Sequence, residues 1–131
     1  MKEMNSESAE YFLHELFSRA GKQEKNYFMT SEQQRRYLAR DGGRRFKRKA
    51  MGICGSKTIK TLDEIIKILV ETNIASNNQE AKELVPQLIK ATEVNPIGLE
   101  ASIFDSRYMI FTKVKNSNAV EDLYEIRIWS G

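Results

Sequence analysis

The chain has 131 residues, 40% hydrophobic and 30% charged, a composition that suits one globular domain and is too short for two independent cores. No window approaches the roughly 18–20 uncharged apolar residues of a membrane span, and the lone cysteine, Cys54, excludes an internal disulfide or a multi-cysteine metal site. The net charge of +3 conceals an asymmetry: residues 35–49 hold eight of the 21 Lys and Arg with one acid, Asp41, while the other 116 residues sum to −4.

The first helix is expected from Asn5 or Ser6, both able to cap free backbone N–H groups. Ala9, Phe12, Leu13, Leu16, Phe17 and Ala20 recur at three- and four-residue spacing and make one apolar stripe, with Gly21 as the stop. A second helix is expected from Thr30 or Ser31, where Gln33 or Gln34 completes a capping box, and it should end at Gly42-Gly43. Arg44 to Gly55 reads as a further helical turn, an extended arm or a loop.

Thr61-Leu62-Asp63-Glu64 has the capping-box spacing and opens a third helix with Leu62, Ile65, Ile66 and Leu69 on its buried face. After a turn near Asn73, Ser76 with Gln79 opens a fourth, striped by Ala81, Leu84, Val85, Leu88 and Ile89 and bent at Pro86. The period then falls to two. Residues 108–115 and 123–129 alternate as two strands of a hairpin across a polar connection. The expected fold class is α+β, mainly helical: about four helices followed by a C-terminal β-hairpin. Residues 1–131 make one domain, with an N-terminal helical part at 1–34, a basic arm or loop at 35–56, and a helix-turn-helix plus hairpin at 57–131.

Leu62–Thr72 and Asn77–Ala91, followed by a strand, a wing at Asn116–Val120 and a second strand, have the core order of a winged helix. On Ser76-Asn77-Asn78-Gln79-Glu80-Ala81, Leu84, Leu88, Ile89, Phe104-Asp105-Ser106, Tyr108 and Phe111 the stretch resembles a DEP domain, a winged-helix relative of signalling proteins. The resemblance covers about half of the chain. It implies a signalling role at anionic membranes. A winged helix would use its fourth helix as groove reader, yet Glu80, Glu83 and Glu93 there repel phosphates, and Lys113, Lys115 and Asn116 at the wing offer a backbone contact instead.

The basic segment is the main candidate site. Arg35, Arg36, Arg40, Arg44, Arg45, Lys47, Arg48 and Lys49 can each meet a phosphate, arginine through a planar fork of donors. Tyr37 and Phe46 lie among them, where aromatics could stack on unpaired bases, and Gly42-Gly43 could fold two basic arms together. The plainer reading is a solvated basic face, or a bipartite nuclear-localisation signal. No catalytic constellation, cofactor site or metal site is expected. His14 reads as a helix-surface residue, and Cys54 as a small filler. Asp105 with Glu125-Ile126-Arg127 only partly resembles a metal-dependent nuclease, an arginine standing where a lysine belongs.

The expectation is therefore a non-enzymatic domain that contacts nucleic acid, DNA or RNA, mainly by backbone or shape. The alternatives are a protein-interaction module, such as a regulatory adaptor or a host- or defence-directed inhibitor meeting an acidic or nucleic-acid-binding protein, and a DEP-like domain at anionic membranes. The absence of a recognisable leader and the single cysteine suggest a reducing, cytoplasmic setting, or a nuclear one in a eukaryote.

Overall fold

Capping chemistry opens all four helices among the described residues. The structure, a computed structural model, describes residues 4–21, 28–52, 56–95, 107–114 and 122–130. Its elements run α1 (Ser6–Ser18), α2 (Ser31–Met51), β1 (Lys57–Thr61), α3 (Leu62–Glu71), α4 (Asn78–Val94), β2 (Arg107–Lys113) and β3 (Leu123–Ser130), a mainly helical α+β arrangement. Asn5, Thr30 and Thr61 each accept from the backbone N–H of the third helical residue, whose side-chain oxygen accepts the cap's own N–H in return. Asn77 caps α4 by accepting from the Glu80 N–H at 2.8 Å. The cap therefore lies one residue beyond the expected Ser76, which instead donates its N–H to the Glu80 carboxylate at 2.9 Å.

Two features of α2 correct the sequence reading. The expected break at Gly42-Gly43 is absent, and the expected basic arm or loop at 35–56 is helical as far as Met51. The reason is tertiary. A Cβ on Gly42 would run into the backbone carbonyl of Phe17, and one on Gly21 into that of Leu38. Gly21 and Gly42 let α1 and α2 approach backbone to backbone, and the burial gained there outweighs the roughly 1 kcal/mol by which each of Gly42 and Gly43 disfavours a helix. Helix α2 ends at Gly52, whose φ of 77° suits glycine.

The alternating strands pair as expected, Met109 facing Ile128 and Phe111 facing Ile126. A third strand joins them. β1 pairs antiparallel with β3, Thr58 opposite Ile126, so the sheet order is β1-β3-β2. Five residues with a single apolar side chain, Ile59, half-exposed, carry almost no strand signal. Only the partner strand makes this segment a strand.

The core gathers Leu13, Leu16 and Phe17 of α1, Phe46 of α2, Ile65 and Leu69 of α3, Leu88 of α4, and Phe111 and Ile126 of the sheet. Phe17 and Phe46 meet edge to face at 5.4 Å, a preferred aromatic geometry. Buried Thr92 joins α4 to β2: its hydroxyl donates to Leu88 O at 2.9 Å and accepts the Phe111 N–H at 3.0 Å. Pro86 sits on the exposed side of α4, which continues through it. Helix α2 packs on α1, α3 and β1, whereas α4 packs on α1, α3 and β2. The basic helix and the fourth helix thus occupy separate sides of the domain.

Candidate polyanion-binding face

All eight basic residues of the segment lie on α2. A helix turns about 100° per residue, so Arg40, Arg44, Lys47 and Arg48, spaced i, i+4, i+7 and i+8, share one side of it. Ala39, Gly42, Phe46 and Ala50 line the opposite, buried side. Arg44, Arg45, Arg48 and Lys49 are exposed, and Arg40 and Lys47 half-buried. With Asp41, four of them line an open depression of about 470 Å³: Arg44, Arg45, Arg48 and Lys49.

Several of these cations also hold partners within the domain. Arg35 donates through Nε and Nη2 to the two oxygens of Glu32, at 3.2 and 2.7 Å, and Arg36 adds a bond at 3.1 Å. The hydrogen bond from Arg35, reinforced by its charge and by Arg36, holds the Glu32 carboxyl below the usual carboxylate range. Arg35 also lies over the Tyr11 ring, 4.7 Å from its centroid, a cation–π contact across the α1–α2 seam. Arg45 pairs with Asp41 at 3.0 Å. Lys49 reaches across to Glu71 of α3 at 2.9 Å, and this bond lowers the Glu71 pKa. Water screens exposed pairs of this kind, so they hold their cations weakly and an incoming phosphate can displace them.

The two aromatics of the segment part company. Phe46 is fully buried against Phe17, so the expected stacking on a base is sterically closed to it. Tyr37 is 39% exposed, with the Arg40 guanidinium 5.7 Å from its ring centroid. Gly42, expected to end the helix or to fold two basic arms together, is buried under α1. No periodicity revealed this. Glycine inside a run with strong helix formers on both sides was the available signal.

The other sequence candidates are dispersed. Lys113, on β2, pairs with Asp122 at 3.4 Å, while Lys115, Asn116, the rest of the wing and Cys54 lie outside the described residues. Asn77 spends its side-chain oxygen on the α4 cap, and Gln79 donates to Glu83 at 3.1 Å. Glu125 is held by Lys57 at 3.7 Å and Arg127 at 3.2 Å, and Asp105, its expected nuclease partner, is outside the described residues.

His14 also departs from expectation. It is 4% exposed rather than on the helix surface, with Nδ1 lacking a hydrogen-bond partner. Burial lowers its pKa below 6.5; Glu10 opposes the shift, Arg35 and Arg36 add to it, and Glu32 opposes it. Among the described residues no helix is long and apolar enough to cross a membrane, and no group of three or more His, Cys, Asp or Glu could hold a metal ion. Comparison of the chain with protein-family models, curated proteins and solved structures finds no match.

Proposed function

We propose that this chain is a non-catalytic, winged-helix-like domain that binds nucleic acid inside the cell through the exposed side of α2, mainly by phosphate contact. The observation that carries this reading is the alignment of Arg40, Arg44, Lys47 and Arg48 along one side of a helix whose other side is locked into the core. Cations fixed on a rigid element lose less freedom on binding than cations on a loop. The winged-helix part draws support from the succession β1, α3, α4, β2, β3 with β1 laid against β3, in which α3 and α4 stand as the helix-turn-helix pair. The surface nevertheless differs from the usual one. Helix α4 presents Lys82 and Lys90 beside Glu83 and Glu93, all exposed, and balanced charge gives a phosphate backbone little reason to dock there.

The test replaces Arg40, Arg44, Lys47 and Arg48 together by glutamine, which keeps helix propensity, with thermal melting as the check on folding. Nucleic-acid affinity should fall at least about tenfold at moderate salt, because fewer counterions are released. Exchanging Lys82 and Lys90 for glutamine should change it less than about twofold on the same basis. A folded quadruple variant that binds like the wild type would overturn the proposal. So would binding to acidic liposomes by a protein that ignores every nucleic acid offered.

A further inference from the structure

Resting on that reading, we infer that the ligand is a duplex, gripped along its phosphates, rather than a single strand. Single-strand binders combine a cationic groove that follows a flexible backbone with aromatic platforms on which successive bases stack, each platform contributing about 1–3 kcal/mol. The stripe on α2 offers the cations without the platforms. Phe46 is sealed in the core, and the Tyr37 ring is shared with Arg40. Phe28 is 99% exposed but precedes α2, about 20 Å of helix away from Arg44. Tyr11 lies on α1 beneath the Arg35 guanidinium. No two aromatic faces therefore line up beside the cations among the described residues.

Rigidity points the same way. The 21 residues of α2 make a rod about 31 Å long, and Gly42, where the helix was expected to end, is wedged against the Phe17 carbonyl. A rod cannot wrap a floppy strand, but it can lie against a stiff one. From Arg40 to Arg48 the stripe advances about 12 Å, and a duplex carries a phosphate for about every 1.7 Å of its axis. Roughly seven phosphates then fall within the span of four cations. A lone strand brings half that density and must first be ordered along the rod.

The test uses the intact wild-type chain and labelled ligands of about 24 nucleotides per strand: duplex DNA, duplex RNA of the same sequence, and each strand alone. Anisotropy titrations run from about 50 to about 200 mM salt. Duplexes should bind at least about tenfold tighter than their strands. If four phosphates are neutralised, log K should fall against log salt with slope about −3.6, so duplex affinity drops about 150-fold over that range. Preference for either duplex, or for both, supports the inference and says which helical form fits. Strands bound as tightly as duplexes overturn it while leaving the proposed function standing, whereas a duplex slope shallower than about −1 overturns both, because each rests on phosphate contact. Failure of all four ligands to bind overturns both.

Discussion

Substituting Gly42 by alanine sets two physical terms against each other. Helix propensity alone favours alanine by about 0.8–1.0 kcal/mol in a helix interior. The structure opposes it: the added methyl would overlap the Phe17 carbonyl and come within 3.0 Å of the Gly21 backbone nitrogen. Both are main-chain atoms near the end of α1, so no side chain can swing aside. Relief requires α1 and α2 to separate, which disturbs the Phe17–Phe46 contact at 5.4 Å and the burial of Leu13, Leu16 and Ala39. Overpacking of this kind costs about 1–3 kcal/mol, occasionally more. Because rigid backbone faces the methyl, the upper end applies, and the net expectation is a loss of about 2 kcal/mol. For a chain of 131 residues the unfolding entropy is about 0.28 kcal/mol/K, so Tm should fall about 7 °C. Differential scanning calorimetry measures it directly. A rise of about 3–4 °C, the propensity gain by itself, would refute the close crossing of α1 and α2 and with it the rigid presentation of the basic stripe.

Phe46→Leu should lower stability by about 1–1.5 kcal/mol with nucleic-acid affinity unchanged, and Phe46→Ala should lose about 3–5 kcal/mol; affinity falling in a fully folded Phe46→Leu protein would restore the stacking role. Thr92→Val keeps the shape but strips the Phe111 N–H of its acceptor, at about 1–3 kcal/mol, whereas Thr92→Ser should retain most of the stability; equal melting of both variants would contradict the α4–β2 link. His14 should make stability depend on pH. Its pKa is lowered in the folded chain, so just below pH 6.5 the unfolded chain binds a proton that the folded chain refuses. Stability is then full above about pH 6.5 and falls as pH drops toward the folded value. Melting curves between about pH 7.5 and 5 should show this slope, flattened in His14→Gln; an identical slope in that variant would exclude His14 as its source. Glu32, Glu64 and Glu71, whose pKa values are lowered from 4.5, act in a more acidic window.

Much of the fold was legible because local chemistry and periodicity agreed. Asn5, Thr30 and Thr61 announce their helices through capping boxes that need only neighbours three residues away. The stripe from Ala9 to Ala20 marks a buried face, with Phe12 only partly covered. Alternation from Tyr108 onward marks a hairpin. β1 escaped because Lys57-Thr58-Ile59-Lys60-Thr61 has no pattern of its own; its backbone groups pair with β3, more than sixty residues away in the chain. His14 escaped for a related reason, lying at the border of the α1 stripe, where the approach of α2 and not the helical period decides what is covered.

For the basic segment the division is sharper. The sequence by itself determined where the positive charge is concentrated, since residues 35–49 outweigh the rest of the chain and no folding alters that sum. It could not determine whether Gly42-Gly43 ends a helix or lets one pass beneath another, because glycine permits both and the outcome depends on whether a second backbone arrives. The tertiary structure brought α1 there. That one crossing made α2 continuous, took Phe46 into the core, and left Arg44 and Arg48 exposed with half-buried Arg40 and Lys47 on the same side of the helix. Charge is a property of residues. Its presentation on one face is a property of packing.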